Sequence, residues 1–204
     1  MPRPLLPQVK MPLRTKLHST LRRIWRPLGR ARRSRGFGVH SPFAFRFITF
    51  VLRGSGSVYY ATPQIRTLAG ERDRRRRLSL LFRIVCDRAP QTLILPADLP
   101  EAERRVILMA DSRLTPITPD EAQHLPATAQ RLLLCLPALT PETLTAAHRV
   151  ISSENSTLIL FDTTSPLLPA LMENLDHVMT FTNGRSAVMV GSRALPRQSF
   201  EINF

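Results

Sequence analysis

No glycine lies between Gly70 and Gly184, a stretch of 113 residues that holds almost all of the predicted strands. Average usage would place about eight glycines there. An α/β fold that binds a nucleotide generally has glycine directly after its first strand, because only a residue without a side chain lets the backbone turn sharply and approach the ligand. The chain therefore has the alternating strands and helices of a cofactor-binding fold without the glycines that normally allow a cofactor to bind.

The hydrophobic pattern predicts an α/β fold in which strands and helices alternate. A hairpin is predicted around Asn183-Gly184, and residues 200–204 are expected to add a terminal strand. Val106 to Met109 could form either part of a helix or a strand. The predicted strands are 92–95, 131–136, 156–161, 177–182 and 186–192. The predicted helices are about 42–53, 63–70, 72–88, 100–112, 141–151 and 165–174. This order indicates a mostly parallel sheet that ends in an antiparallel hairpin and is preceded by N-terminal helices.

Charge divides the chain into a basic front and a mildly acidic remainder. Residues 1–83 carry a formal net charge of +18 and residues 84–204 carry −4. We expect a basic, partly disordered and amphipathic extension over 1–35, a helical segment over 36–90 and the α/β core over 91–204.

Arginines in the extension are the predicted contacts for an anionic partner. Leucines and Ile24 recur at helical spacing from Leu13 to Leu28, which favours a helix on an anionic membrane surface. Bidentate pairing of arginine with phosphate favours RNA or DNA instead, and a solvated tail is a third interpretation. The arginines singled out are Arg22, Arg23, Arg26, Arg30, Arg32, Arg33 and Arg35.

Neither cysteine spacing nor apolar runs point to a metal, a disulfide framework or a membrane span. Cys86 and Cys135 both sit in apolar runs and are expected to be buried free thiols. No apolar run reaches the roughly 18 residues that a spanning helix needs. We therefore expect a cytoplasmic protein, either soluble or peripheral to a membrane, and the sequence does not indicate its oligomeric state.

Two regions together resemble a known family. The segment Gly36-Phe37-Gly38-Val39-His40-Ser41-Pro42-Phe43-Ala44-Phe45, followed by Tyr59-Tyr60, resembles the N-terminal signature of bacterial class I S-adenosylmethionine-dependent methyltransferase-like proteins, found especially among Bacteroidetes. Residues 178–204, with Arg197-Gln198, resemble the closing antiparallel strands of that fold. The resemblance covers about residues 31–204. It implies a Rossmann-like, methyltransferase-type sheet and S-adenosylmethionine as the cofactor.

The turn after the first strand departs from that family pattern. Where the family has an acidic residue and two or three glycines, this chain has Pro96-Ala97-Asp98-Leu99-Pro100. Prolines stiffen this turn, and side chains occupy the space in which the cofactor would lie. The sequence thus predicts a degenerate relative, a pseudoenzyme without catalysis or with weak cofactor binding. An active methyltransferase of unknown acceptor is the alternative.

Candidate site residues each have a second interpretation. If S-adenosylmethionine binds, the resemblance implies contacts from Tyr60, Asp98, Asp111 and Asp162. Asp162 could instead cap the turn after its strand, and Tyr60 could pack the N-terminal helices over the sheet. His40 beside Ser41 resembles a base and a nucleophile, but adjacent residues seldom align for proton transfer, so His40 is expected to order the turn before the helix. We predict no metal site and name no catalytic residue.

Overall fold

The computed structural model describes residues 40–54, 59–173 and 175–204 of the chain. The α-helices in these ranges are α1 (Pro42–Arg46), α2 (Thr62–Ala69), α3 (Arg72–Arg88), α4 (Glu101–Ala110), α5 (Pro119–Gln123), α6 (Pro141–Ser152) and α7 (Leu168–Met172). The strands are β1 (Thr92–Ile94), β2 (Pro116–Ile117), β3 (Leu132–Ala138), β4 (Ser156–Asp162), β5 (Val178–Thr182), β6 (Ala187–Gly191) and β7 (Gln198–Glu201). A π-helical segment, Phe47–Leu52, continues α1 without a break.

All seven strands form one sheet in the order β2-β1-β3-β4-β6-β5-β7. Neighbouring strands are parallel except at β6, which runs antiparallel to both β4 and β5. The predicted α/β class, the mostly parallel sheet, the antiparallel hairpin and the N-terminal helices are therefore confirmed, and the architecture is Rossmann-like. The carboxyl ends of β1, β3 and β4 share one edge of the sheet, which we call the carboxyl edge.

Alternating side chains on the central strands supply both faces of the core, as the two-residue period of a strand requires. Leu133 and Cys135 pack with the layer of helices α1 to α4, together with the π-helical segment. Leu132, Leu134 and Leu136 pack with the opposite layer, formed by α5 to α7. The strands are thus buried on both faces, which is why β3 reads as a continuous apolar run.

Local sequence explains where the best-defined helices begin. Ser41 caps α1, where its Oγ accepts a hydrogen bond from the Ala44 amide, and Pro42 fills the first helical position. Thr140 caps α6 in the same way with Pro141 following, and Thr143 completes a capping box. A proline is tolerated in the first turn because the amide hydrogen that it lacks would have no helical partner there.

The structure corrects several details of the sequence prediction. Val106 lies on the buried face of α4, so the alternative of a strand at 106–109 is wrong. The helix expected over 165–174 is only α7, because Ser165 is used in the preceding turn, where its Oγ donates to the carbonyl of Leu139. β2 was not expected. β7 pairs parallel to β5, so it is not one of the closing antiparallel strands.

The two cysteines differ in environment. Cys135 is buried as expected, and burial raises the pKa of its thiol, with a further contribution from the carboxylate of Glu103. Cys86 is exposed, contrary to the expectation, because an apolar run on a helix passes through the outer face as well as the inner one. Within the described ranges, none of the helices combines the length and the apolar character needed to cross a bilayer.

Candidate anion-binding groove

Two helical elements, α2 and the π-helical segment, pack against one side of α3 and form a concave surface with it. Gly70, at φ +64°, ends α2, and α3 begins two residues later. This positive φ is readily available to glycine and rarely to other residues. The sharp connection lays α2 against α3, and the end of the π-helical segment packs beside them. The exposed faces of these elements therefore enclose a groove instead of diverging.

The groove has a volume of about 590 Å³ and is lined by five arginines, with no acidic side chain among its lining residues. We call it the arginine groove. Its arginines are Arg53, Arg66, Arg75, Arg76 and Arg83. Thr62, Ser79 and Leu80 also line it, as do the terminal residues Asn203 and Phe204. Five cationic side chains facing one concavity repel each other, so the arrangement favours an anion that balances them.

Arg83 is the structural member of the group. Its Nε donates to the carbonyl of Val51 at 2.6 Å, and Nη2 donates to the carbonyl of Leu52 at 3.0 Å. Carbonyls in the last turn of a helix have no hydrogen-bond donor within the helix, and the Arg83 guanidinium is the donor for two of them. Burial lowers the pKa of Arg83, although Tyr59 acts in the opposite direction. Arg83 therefore fixes the wall of the groove.

Gly54 lets the chain pass directly over that guanidinium. A Cβ at this position would lie 2.8 Å from Cζ of Arg83, and the residue has φ +66°. The positive φ favours glycine, and a Cβ here would also have to push the Arg83 guanidinium aside. The wall formed by Leu52 and Arg53 is thereby held against α3.

The other arginines of the groove are available to a ligand. Within the described part of the chain, Arg53, Arg66 and Arg75 make no ion pair and no side-chain hydrogen bond, and all three are exposed. Arg76 lies 3.6 Å from Asp73, but both side chains are largely solvated, so this pair contributes little. Four guanidinium groups can thus bind phosphate or another oxyanion.

The turn after β1 is filled by protein side chains. Leu99 is 4% exposed and belongs to the core that lies under α1 to α4. Nη2 of Arg104 donates to the carbonyl of Pro96 at 2.8 Å, which ties the turn to α4. Pro96 is buried as well. The backbone of this turn is therefore closed over the end of β1.

A buried carboxylate lies beside that turn. Glu103 is 1% exposed, and its oxygens lie 3.6 Å from Nη2 of Arg74 and 3.3 Å from Nη2 of Arg77. We call these three residues the arginine–glutamate triad. It joins α4 to α3 above Cys135, whose pKa responds to the charges of both Glu103 and Arg77.

The four residues implied by the resemblance do not form one cluster. Asp98 follows β1 and Asp162 is the last residue of β4, so both lie at the carboxyl edge. Asp111 follows α4 and precedes β2, so it lies toward the opposite edge, where it pairs with Arg113 at 2.9 Å. Hydrogen bonds from Arg113 lower the pKa of Asp111. The hydroxyl of Tyr60 donates to the carbonyl of Met109, also near the end of α4.

Asp162 accepts a hydrogen bond in the turn after β4, and Tyr60 contacts α3 while it remains 71% exposed. Oδ1 of Asp162 accepts a hydrogen bond from the Thr164 amide at 2.8 Å, which lowers the pKa of the carboxyl and caps the turn. The ring of Tyr60 packs edge-on against Phe82. The seven arginines singled out between Arg22 and Arg35 lie outside the described residues.

Sequence reasoning missed the groove arginines and Glu103. The run from Arg72 to Arg77 was visible, but its division between two sides of α3 depends on the neighbouring helices. Glu103 could have been noticed, because it shares a helical face with the apolar residues Val106 and Ile107. An acidic side chain on such a face needs a charged partner once it is buried.

Comparison with known proteins adds no family to these observations. No protein-family model, curated protein or solved structure was found to match this chain.

Proposed function

We propose that this protein is a non-catalytic, methyltransferase-like scaffold that binds nucleic acid through its arginines. The observation that carries the proposal is the arginine groove, in which five cationic side chains and no acidic one line a single concavity. Arginine presents a rigid fork of donors that matches phosphate oxygens, and a groove follows a phosphate backbone better than a flat surface does. The basic extension at 1–35 would lengthen the same interaction.

The closed turn after β1 supports the non-catalytic part of the proposal. Leu99 fills the space next to β1, and Arg104 holds the turn in place through Pro96. A cofactor bound there would have to displace a buried leucine, at a cost of about 2 kcal/mol for its exposure alone. Binding of S-adenosylmethionine is therefore expected to be weak or undetectable.

The family resemblance has partial support from topology. An antiparallel strand, β6, lies between two strands of the parallel sheet near one end, in the region that resembles the closing strands of the methyltransferase fold. This is a likeness of fold, and a fold hosts many functions. The proposal therefore depends on the groove and on the closed turn.

Salt-dependent binding tests the nucleic-acid proposal. Fluorescence anisotropy of the full chain with a short single-stranded RNA, across a salt series, gives the number of phosphate contacts. Replacing Arg66 and Arg75 by glutamine should make the slope of log K against log salt shallower by about 1.4, since each contact contributes about 0.7 on a single strand. The matched control replaces Arg105 and Arg193, which are exposed and lie outside the groove.

Equal slopes for the groove variant, the control and the unmodified chain would contradict a role for the groove. Vesicles of anionic lipid form the competing arm, favoured by the exposed side chains of Phe45 on α1 and Phe50 on the π-helical segment. Tighter binding to vesicles than to RNA at equal salt would replace nucleic acid with a membrane surface as the partner.

Calorimetry tests the alternative of an active methyltransferase. Titration with S-adenosylmethionine and S-adenosylhomocysteine should give no heat at high micromolar ligand. Binding in the low micromolar range would overturn the non-catalytic assignment, whatever the RNA experiment shows.

A further inference from the structure

A second concavity lies at the carboxyl edge, on the other side of Arg76 from the arginine groove. It has a volume of about 700 Å³ and is bounded by the start of α3, the end of β4 and the hairpin between β5 and β6. We call it the edge pocket. Ligands of open α/β sheets bind outside the carboxyl ends of the strands, and pockets of this size suit small organic molecules.

The wall that the sheet contributes to the edge pocket is apolar. Phe161 of β4 and Leu80 of α3 are partly exposed and supply the accessible apolar surface, and Ile159 and Val188 are almost fully buried behind it. Leu80 and Leu81 of α3 form the facing wall. An apolar group placed there would leave water for a hydrophobic surface, which is favourable.

The arginine–glutamate triad adds an unbalanced positive charge to this apolar site. Arg74 and Arg77 line the pocket, and Glu103, which is 1% exposed, lies behind them. One carboxylate can compensate only one of two guanidinium groups. Within the described residues, both oxygens of Glu103 and Nε of Arg74 are buried without a hydrogen bond. The oxygens of Glu103 are acceptors and do not attract an anion, whereas the excess of one positive charge in the triad does.

Arg76 and Arg185 complete the charged side of the pocket beside Arg74 and Arg77. The guanidinium of Arg77 lies over the ring of Phe161, with Cζ 5.3 Å from the centroid, within the range of a cation–π contact. Arg185 lines the mouth, exposed and without an ion pair among the described residues. The acidic residues at the rim, Glu71 and Asp73, are exposed and therefore screened.

The uncharged polar side chains of the pocket are already engaged. Oδ1 of Asn183 accepts from the amides of Arg185 and Ser186, and its Nδ2 donates to the carbonyl of Phe204. The hydroxyl of Ser186 donates to the carbonyl of Phe161. The hydroxyls of a sugar would find few partners here, which disfavours a nucleotide and favours a ligand with an apolar body.

We propose that the edge pocket binds a monoanionic carboxylic acid with an apolar body, its carboxylate on Arg77 and Arg185 and its hydrocarbon part against Phe161 and Leu80. The planar guanidinium fork matches a carboxylate through two parallel hydrogen bonds. This pocket shares Arg76, Leu80 and Phe204 with the arginine groove, but the two arginines proposed to hold the carboxylate, Arg77 and Arg185, do not line the groove.

Octanoate is the probe, and calorimetry with the full chain is the measurement. Replacing Arg185 by glutamine should weaken octanoate binding roughly tenfold, the loss expected for a hydrogen-bonded charge pair. Glu103→Gln should strengthen it severalfold, because neither Arg74 nor Arg77 is then neutralised from behind. The control Arg66→Gln alters the arginine groove and should leave octanoate affinity unchanged.

Arg185→Gln should weaken octanoate binding and Glu103→Gln should strengthen it. These opposite changes in affinity distinguish a role in binding from a merely structural role. Circular dichroism verifies that Glu103→Gln remains folded, and Arg185 is exposed, so its replacement should not disturb the fold. Four results would overturn the proposal: no octanoate binding at millimolar ligand, equal affinity for neutral octanol, weaker binding by Glu103→Gln, or tighter binding of uridine 5′-monophosphate than of octanoate.

Discussion

Nε of Arg83 donates to the carbonyl oxygen of Val51 at 2.6 Å, and this contact joins the longest described helix to the π-helical segment. The same guanidinium reaches the carbonyl of Leu52. The π-helical segment is therefore held at its end by a side chain 32 positions further along the chain. π-helical turns are rare and often occur at functional sites, and here the turn forms one wall of the arginine groove.

Arg83→Met should destabilise the fold by about 2 kcal/mol, because the carbonyls of Val51 and Leu52 lose their charged donor while the apolar stem is kept. Urea unfolding followed by circular dichroism measures the change. Arg105→Met is the control, since Arg105 is exposed and should alter stability by less than about 0.5 kcal/mol. Equal effects of the two variants would show that the Arg83 contacts do not hold the segment.

Gly191→Ala should be among the most damaging single substitutions in the core, costing about 4 kcal/mol or more. A Cβ at Gly191 would lie 1.9 Å from the carbonyl oxygen of Ile151, so β6 and the end of α6 would have to separate. Gly70→Ala is the matched comparison. Its Cβ would meet nothing within 4 Å, and only the positive φ opposes it, at about 1 to 2 kcal/mol. Thermal unfolding of both variants measures which one loses more stability. A larger loss for Gly70→Ala than for Gly191→Ala would contradict the prediction.

Glu154 should make stability depend on acid. The amide of Arg193 and the hydroxyl of Ser192 donate to its carboxylate and lower its pKa below the ordinary value of 4.5. A group whose pKa is lower in the folded state stabilises the fold above its unfolded pKa and loses this contribution as the pH falls through the folded value.

Glu154→Gln should therefore be less stable than the unmodified chain at neutral pH, and the difference should shrink as the pH drops below 4.5. Denaturant unfolding at a series of pH values measures this. Glu173→Gln serves as the control, because Glu173 is an exposed glutamate. A difference that stays constant with pH would mean that Glu154 acts through packing instead of charge.

The basic extension and the arginine groove should contribute separately to RNA binding. Glutamine at all seven extension arginines, from Arg22 to Arg35, should make the salt slope shallower by about 5 if each contacts a phosphate on a single strand. The Arg66 and Arg75 variant should add its own change of about 1.4. An extension variant that binds RNA like the unmodified chain would assign those seven arginines to a solvated tail.

Much of the fold could be predicted because local rules and the final packing agree. The limits of α3 and α6 follow from apolar periodicity and from caps such as Thr140-Pro141, which need no knowledge of neighbouring elements. The hairpin at Asn183-Gly184 is equally local. β2 is different, because two residues carry no period and are recruited to the sheet only by pairing with β1.

The candidate sites were less accessible to prediction because they depend on contacts between distant residues. Nothing local to Arg83 indicates that it binds the end of a helix 31 positions earlier. Similarly, Glu103 acquires Arg74 and Arg77 only when α4 packs against α3. The missing glycine after β1 was visible from the sequence, but the burial of Leu99 in its place required the three-dimensional packing.

The two outermost strands of the sheet also affect how the protein behaves at high concentration. β2 offers only two residues at one margin, and β7 offers four at the other, beginning with the exposed residues Gln198 and Ser199. Such short margins, one of which begins with a proline that has no amide hydrogen, give an incoming polypeptide few amides and carbonyls with which to extend the sheet, and natural proteins use short edge strands to avoid fibril formation. The strongly apolar strands at the centre are thereby kept from templating the aggregation of further copies.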